Sequence, residues 1–166
     1  MSKKIIDVCC GSRMFWFDKQ NPNVVFNDIR NEDHSLCDGR NLNINPDTMM
    51  DFADLSEVES GSMKLVVFDP PHMDSLGENS WMAKKYGKLR EGWEQNLKAG
   101  FNECFRVLDD CGILIFKWNE TDIPTSKILS LTQHKPLFGH LSGKRSNTHW
   151  ICFMKIAPPS TNEVRE

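Results

Sequence analysis

Short apolar runs separated by polar segments dominate the first half of the chain, and they predict β-strands. Lys3 to Cys10 is rich in β-forming residues, and Val24 to Phe26 is a second such run. Leu65 to Phe68 holds four apolar residues in succession, which is typical of a strand buried on both faces of a sheet. Between these runs we expect a loop over Asp33 to Asn45 and a short strand over Thr48 to Phe52. The first half of the chain is therefore predicted to contain four strands.

The second half of the chain contains one clear helical pattern. Its apolar residues recur at steps of three and four, which predicts an amphipathic helix with one buried face: Trp93, Leu97, Phe101, Cys104, Phe105 and Leu108. Asp109 to Gly112 is expected to end this helix before a buried strand at Ile113 to Phe116. A brief helical pattern at Ser126 to Leu131 is followed by two runs, Leu137-Phe138 and Trp150 to Met154, that predict a hairpin.

Strands that alternate with helices predict an α/β sandwich. Its sheet is expected to be mostly parallel, with an antiparallel strand contributed by the C-terminal hairpin. A chain of 166 residues is the size of one domain, and we predict a single domain over residues 1–156. Residues 157–166 are rich in proline, serine and acidic side chains, so we predict a disordered tail there.

Composition limits the classes of function that are open to the chain. The net charge is -3 and the pI is about 6.0, which argues against nucleic-acid binding by bulk electrostatics, because that binding needs many Lys and Arg contacts with phosphates. The six cysteines lie mostly in apolar runs without paired metal-ligand spacing, and we find no signal-peptide pattern. We therefore expect reduced thiols, no metal and a cytoplasmic protein. No apolar stretch approaches the roughly 20 residues that a membrane-spanning helix needs.

The most informative segment is the junction that follows the apolar run at residues 65–68. Asp69, Pro70, Pro71 and His72 come directly after that strand. Open α/β sheets bind ligands at the carboxyl ends of their strands, and prolines leave carbonyl groups there with no N–H following. The junction therefore predicts an acceptor-rich site for a planar amino group.

This junction resembles the Asp-Pro-Pro-aromatic signature of class I S-adenosylmethionine (SAM) dependent methyltransferases that act on amino nitrogens, with His72 in the aromatic position. Asp7 to Arg13 resembles the first SAM motif of that group, which commonly reads Asp-Pro-Phe-x-Gly-Ser-Gly. The turn after Arg106 and the segment Asp51 to Leu55 are similar to the helix-to-strand turn and the adenine-contacting loop of the same family. The resemblance extends to about Ile156 and implies a Rossmann-like class I methyltransferase fold, SAM as cofactor and S-adenosylhomocysteine as product. Its compact, solitary form is similar to methyltransferases carried by phages and prophages.

The resemblance assigns eight residues to the cofactor: Asp7, Cys9, Gly11, Ser12, Arg13, Asp28, Asp51 and Phe52. Gly11 permits the tight turn and the close backbone approach that the methionine end of SAM requires. Arg13 stands where a second glycine is usual, and either its guanidinium reaches the cofactor carboxylate or the loop is more closed than in the family. Asp28 lies 17 positions after Gly11 and is expected to accept both ribose hydroxyls.

Four of these residues have a structural alternative beside the cofactor role, which for Asp28 is a turn aspartate. Asp7 either holds the methionine ammonium or fixes the turn. Asp51 is expected to accept from the adenine amino group while Phe52 lies along the ring, and a helix cap and a core phenylalanine are the alternatives. The order of these residues at the ends of successive strands favours the cofactor site.

The resemblance assigns catalysis to Asp69, Pro70, Pro71 and His72. An exocyclic amino group is a poor nucleophile because its lone pair is delocalised into the ring, so a catalyst must accept its hydrogens. Asp69 and the Pro70 carbonyl are the expected acceptors, and a fixed carboxylate also stabilises the positive charge that develops on the nitrogen. His72 is expected to stack on the acceptor base and to relay a proton, with a surface-loop histidine as the alternative.

Two basic segments are candidate contacts for nucleic acid. Residues 80–90 interleave basic and aromatic side chains, a pattern that can hold phosphates and stack bases, and the loop of the C-terminal hairpin is also basic. The predicted substrate-binding residues in these segments are Lys84, Lys85, Tyr86, Lys144 and Arg145. A solvated helix start and a charged hairpin tip are the competing explanations.

Three functions fit the sequence. We favour methyl transfer to adenine N6 or cytosine N4 of DNA, ahead of RNA. The second is a methyltransferase of the same fold that acts on a protein side chain or a small molecule, and the third is a SAM-binding module without transfer activity. We expect no separate target-recognition domain, so target choice would depend on short loops, a partner or a second subunit, which leaves a homodimer open. No membrane partner is expected.

Overall fold

The computed structural model describes residues 3–35, 39–74, 85, 87–141 and 147–156. A six-stranded sheet contains Ile5–Asp7 (β1), Val24–Phe26 (β2), Met63–Phe68 (β5), Leu108–Asn119 (β6), Phe138–Leu141 (β7) and Thr148–Met154 (β8). A separate two-stranded hairpin consists of Glu32–Ser35 (β3) and Asn41–Ile44 (β4). The described helices are Trp93–Val107 (α1) and Thr125–Leu129 (α2). Neither of these helices has the length and apolar character needed to cross a bilayer.

The order of the strands in the large sheet is β2-β1-β5-β6-β8-β7. The first four are mutually parallel, while β8 runs antiparallel to both β6 and β7. The prediction of a mostly parallel α/β sheet with an antiparallel C-terminal hairpin is thus confirmed. From β1 the strand order proceeds to β2 on one side and to β5 on the other, so the order reverses beside β1. Ligand crevices of open α/β sheets form at such a reversal.

The core lies between α1 and one face of the sheet. A row of paired residues on that face is fully buried: Ile6, Val66, Leu114 and Phe153. Against it, α1 presents Phe101, whose ring centroid lies 4.9 Å from that of Phe116 and 5.5 Å from that of Phe68. Packing of this kind explains why the period of three and four residues identified α1, since the apolar stripe is the face that contacts the sheet.

The expected loop at residues 33–45 is wrong, because β3 and β4 pair there as an antiparallel hairpin. Its buried side chains are Leu42 and Ile44, which alternate along β4 with exposed asparagines. The partner strand β3 is polar throughout. Two apolar residues in a polar segment are too few to produce a recognisable strand pattern.

The expected strand at Thr48 to Phe52 is also wrong. The backbone there makes a single bridge, between Thr48 and Asn27. The backbone of Met50 is bonded to the buried Asn27 side chain instead of to a strand. Asn27 Nδ2 donates to the Met50 carbonyl at 3.0 Å, and Asn27 Oδ1 accepts from the Met50 N–H at 2.9 Å. A side-chain amide thus replaces a strand ladder at this point.

The strand β6 begins five residues earlier than expected. Asp109 to Gly112, predicted as the turn after the helix, lies within β6, which starts at Leu108 directly after α1. A register shift between Met63 and Leu65 accommodates the extra residues, as β-bulges do. The predicted disordered tail at residues 157–166 lies outside the described residues.

Candidate active site

A cavity of about 540 Å³ opens at the carboxyl ends of β1 and β5, where the strand order reverses. Residues from five parts of the chain line it. Of the predicted site residues, the cavity brings together Cys9, Gly11, Ser12, Asp28, Asp51, Phe52, Asp69, Pro70, Pro71, His72 and Lys85. Asp7 and Arg13 do not line it. Lys84, Tyr86, Lys144 and Arg145 lie outside the described residues.

The turn after β1 is built around Gly11, whose φ of 48° lies in the left-handed region that glycine adopts without strain. Its N–H donates to Asp28 Oδ2 at 2.9 Å. The other oxygen of Asp28 accepts from the Arg30 N–H at 2.9 Å and from Arg30 Nε at 3.3 Å. A carboxylate offers about four acceptor positions, so protein donors occupy three of them. Asp28 can therefore accept both hydroxyls of a ribose once the Arg30 guanidinium moves aside.

Arg13 requires a correction, because its guanidinium points away from the cavity. It lies 3.9 Å over the ring of Phe26 and donates to the carbonyls of Lys19 at 2.6 Å and Asn45 at 2.8 Å. Arg13 has a φ of 56°, so it adopts the left-handed conformation for which the family uses glycine. Through these contacts the guanidinium holds the loop closed. Arg13 is therefore removed from the predicted cofactor contacts.

Asp7 also requires a correction, because its side chain is fully buried behind the turn. Its Oδ2 accepts from Trp16 Nε1 at 2.7 Å and its Oδ1 from the Cys9 N–H at 3.2 Å. Of the two roles expected for Asp7, fixing the turn is the one that fits this geometry. Burial raises the pKa of Asp7 to about 7, and the hydrogen bonds from Trp16 and Cys9 oppose that shift.

We expect Asp7 to make the protein less stable as the pH rises from about 4 to about 8. The folded state holds the proton of Asp7 up to about pH 7, whereas the unfolded chain releases it near pH 3.8, so ionisation favours unfolding by up to about 4 kcal/mol at pH 8. Asp7→Asn should reduce the loss of unfolding free energy between pH 5 and pH 8, measured with urea. Asp18→Asn, at an exposed position in the segment that follows β1, is the control. An unaltered pH slope in Asp7→Asn would contradict the assignment.

Asp51 and Phe52 reach the cavity from the loop after β4. Asp51 Oδ1 accepts from the Ala53 N–H at 2.9 Å, which fixes a local turn. The Phe52 ring packs 5.2 Å from that of Phe68, so Phe52 joins the cavity wall to the core. Arg106 holds the loop that follows by donating to the carbonyls of Leu55 at 2.7 Å and Val58 at 2.9 Å.

Gly100 of α1 provides the space in which Phe52 sits. A Cβ at this position would lie 2.6 Å from the Phe52 ring and 2.9 Å from the Phe68 ring. Gly100→Ala should therefore destabilise the protein by about 1–3 kcal/mol from overpacking, despite a gain in helix propensity of about 1 kcal/mol. Urea unfolding measures the effect, and Lys98→Ala on the exposed side of α1 is the control. A Gly100→Ala protein more stable than wild type would show that Phe52 can move freely.

An ion pair lies where the cavity meets the carboxyl end of β5. Asp69 Oδ2 lies 2.5 Å from Lys117 Nζ, and both side chains are less than one-fifth exposed. Burial raises the pKa of Asp69, while the charge of Lys117 and its hydrogen bond oppose the rise. The cavity thus presents a carboxylate whose charge is balanced by a neighbouring ammonium.

His72 is 8% exposed and lies on the cavity wall, which removes the surface-loop alternative. Its ring meets that of Trp118 edge to face, with centroids 6.1 Å apart. Burial lowers the pKa of His72, and a hydrogen bond to the Pro70 carbonyl opposes that shift. A neutral imidazole at this position can accept or pass on a proton. Stacking of His72 on an acceptor base stays a prediction.

Sequence reasoning missed Lys117, although a signal was present. Phe68 pairs with Phe116 across the parallel strands β5 and β6, so the residues that follow, Asp69 and Lys117, lie side by side. A lysine between two fully buried aromatic residues, Phe116 and Trp118, is unusual, because charged residues are rarely buried unless they are paired. Alignment of the two strands would have identified its partner.

No family model and no curated protein sequence matches the chain. Among solved structures, a SAM-dependent methyltransferase from Methanosarcina mazei matches 95% of this chain and 94% of its own, at 11% identity and a TM-score of 0.56. One from Archaeoglobus fulgidus matches 93% of this chain and 86% of its own, at 10% identity and a TM-score of 0.54. The trans-methyltransferase CalH in complex with SAH matches 94% of this chain and 52% of its own, at 13% identity and a TM-score of 0.51. The chain has the fold of SAM-dependent methyltransferases.

Proposed function

We propose that the protein is a SAM-dependent methyltransferase that transfers a methyl group to an exocyclic amino nitrogen of nucleic acid, adenine N6 or cytosine N4, with DNA preferred to RNA. The observation that carries this proposal is the position of Asp69. Its carboxylate follows β5 directly, is followed by Pro70 and Pro71, and lies in the same cavity as the Gly11 turn and Asp28. One cavity can therefore hold a nucleoside cofactor and an amino acceptor together.

The residues of the cavity fit SAM. The volume of about 540 Å³ lies within the range of roughly 300–1,000 Å³ for small-molecule sites. Gly11 offers backbone without a side chain for the methionine end, Asp28 offers carboxylate oxygens for the ribose, and Asp51 with Phe52 offers an acceptor and a ring for the adenine. When bound, SAM supplies an electrophilic methyl group on a sulfonium sulfur.

Asp69 supplies what an amino acceptor needs. With SAM held by Gly11, Asp28, Asp51 and Phe52, the amino nitrogen would take the methyl group from the sulfonium, which would leave as a neutral thioether. Asp69 accepts a hydrogen bond from the amino group, which favours attack, and its negative charge stabilises the positive charge that develops on nitrogen. The nitrogen then loses one proton to Asp69, which releases it to solvent. Neutral His72 beside it offers a second route for that proton.

Basic side chains on the cavity wall favour nucleic acid as the acceptor. Lys85, Lys88 and Arg90 all line the cavity. The backbone of this segment is held to the end of the β5 loop by a hydrogen bond from the Leu89 N–H to the Met73 carbonyl at 2.9 Å. Positive charge beside an amino-acceptor site suits a base presented on its phosphate backbone. The acidic balance of the whole chain does not oppose this, since local charges decide such contacts.

The test is to incubate the protein with methyl-labelled SAM and, separately, unmodified DNA, RNA and cell protein, and to identify the labelled monomer after digestion. Label on N6-methyladenine or N4-methylcytosine, lost in Asp69→Ala, is the expected result. Binding to the labelled polymer should weaken steeply with salt. Label on protein, or SAM binding without any labelled product, would overturn the proposed acceptor.

A further inference from the structure

Lys117 is held in one position by three neighbours. Its Nζ lies 2.5 Å from Asp69 Oδ2, 5.5 Å from the ring centroid of Phe15 and 5.7 Å from that of Trp150. The two rings also contact each other edge to face, with centroids 5.4 Å apart. An ammonium over aromatic faces is attracted to them. The aromatic contacts therefore orient Lys117 independently of its bond to Asp69.

The contact with Lys117 involves one carboxylate oxygen of Asp69. Oδ2 is the oxygen that accepts from Lys117 Nζ, and Asp69 is among the residues that line the cavity. A carboxylate fixed through one oxygen presents its second oxygen in a defined direction, which is what acceptance from an amino group requires. Lys117 lies behind the carboxylate and is not a lining residue of the cavity.

Three titratable groups lie around Asp69, on β6, in the loop after β5 and on β1. Lys117 on β6 and His72 in the loop after β5 both favour the ionised carboxylate, and the effect of Lys117 is the larger. Asp7 on β1 holds its proton up to about pH 7, and the charge of Asp69 is one of the smaller causes of that raised pKa. Burial lowers the pKa of His72, so the imidazole is mostly uncharged near neutral pH. Lys117 is therefore the main source of positive charge for Asp69 among these groups.

We propose that Lys117 is a positioning residue that keeps the Asp69 carboxylate ionised, aims its Oδ1 at the acceptor and balances its negative charge, so that the Asp69–Lys117 pair is electrically neutral. This inference rests on the proposed function. A neutral Asp–Lys pair suits an uncharged, hydrogen-donating amino group, such as that of adenine, cytosine or a carboxamide. It provides no net negative charge to bind an alkylammonium, and a protonated amine has no lone pair with which to attack.

Lys117→Met tests this role because it removes the charge and retains an unbranched side chain. Without the ammonium, burial of Asp69 is unopposed, so its pKa should rise by roughly 1–3 units. The ¹³C resonances of labelled aspartate carboxyls measure this in the protein alone, with the Asp69 signal assigned by its loss in Asp69→Asn. Because only the ionised carboxylate accepts the amino hydrogens, the acid limb of the pH–rate profile should move to higher pH by the same amount.

Two further variants separate the charge from the fold. Lys117→Arg retains the positive charge and should keep the Asp69 titration near that of wild type. Lys64→Met removes a lysine that pairs with Asp109 at 2.5 Å on the exposed, opposite end of β5, and should leave both the titration and the pH–rate profile unaltered. If Lys117→Met does not fold, a Lys117→Arg titration that departs from wild type by a full unit would still contradict the proposal.

The outcomes distinguish this inference from the proposed function. A shifted Asp69 titration in Lys117→Met with a shifted acid limb on DNA or RNA supports both. An unshifted titration overturns the role of Lys117 even where wild-type protein methylates nucleic acid. If the Asp69 titration shifts in Lys117→Met but the wild-type protein methylates no amino group, the effect of Lys117 on Asp69 is supported and the proposed function is overturned. Transfer to lysine side chains by wild-type protein would overturn the selectivity for uncharged amino groups.

Discussion

Asp69→Asn should lower the rate of methyl transfer roughly 100- to 1,000-fold, as loss of a preorganised charge-stabilising group does, while SAM affinity stays within a few fold. Asparagine occupies nearly the same volume, but it cannot carry the negative charge that stabilises the attacking nitrogen. Its amide is also a poor acceptor for the proton that the nitrogen loses. Single-turnover methylation and calorimetric titration with S-adenosylhomocysteine measure the two quantities separately.

Loss of Asp69 also leaves Lys117 without its anion, and breaking a buried pair by removing one partner is typically destabilising by about 3–5 kcal/mol. The melting temperature of Asp69→Asn must therefore be measured beside its rate, and assays kept below it. Asp109→Asn, which removes the anion of the exposed Lys64 pair, is the matched control and should keep wild-type activity. Wild-type turnover in folded Asp69→Asn would refute the catalytic role.

Asp28→Asn should weaken SAM binding by roughly 10- to 150-fold, because one hydrogen bond to a charged group contributes about 1.5–3 kcal/mol. The asparagine oxygen can still accept from the Gly11 N–H, but its amide nitrogen would then face the Arg30 N–H, a donor against a donor. Both the ribose acceptor and the turn after β1 are affected. Calorimetric titration with SAM and S-adenosylhomocysteine gives the affinities.

Asp33→Asn provides the comparison for Asp28, since Asp33 is exposed on β3 and does not line the cavity. It should bind SAM as wild type does. Asp28→Asn should also retain its acceptor preference, because Asp28 lies at the Gly11 turn, on the side of the cavity that we propose for the cofactor. An unaltered affinity in Asp28→Asn would remove Asp28 from the cofactor site.

Sequence patterns predicted the elements whose burial is periodic. Val24 to Phe26 matches β2 in full, and the apolar steps from Trp93 identified α1 to within one residue of its end at Val107. The β3–β4 hairpin could not be found, because its strands are short and mostly polar. The first five residues of β6 were not predicted. Asp109 to Gly112 are residue types that usually end a helix, whereas here they lie in the strand beside a bulge.

Sequence order located the cavity better than it located the individual contacts. The residues after β1 and β5 converge as expected, because parallel strands bring their carboxyl ends to one edge. The side-chain directions of Asp7 and Arg13 depended on Trp16, Lys19 and Asn45, which no motif connects to them. Lys117 was not predicted as a site residue, because its role depends on Asp69, which follows a different strand.

The side-by-side placement of Asp69 and Lys117 makes assembly of the active site inseparable from correct strand pairing. Successive side chains of a strand point to opposite faces, so a slip of one residue between β5 and β6 would turn Lys117 away from Asp69 and bring Phe116 or Trp118 beside it. A misregistered chain would therefore bury an unpaired carboxylate and an unpaired ammonium. The free-energy cost of the two unpaired charges disfavours the shifted pairing during folding. Asp69 and Lys117, which we propose act in catalysis, therefore also favour the correct register between β5 and β6.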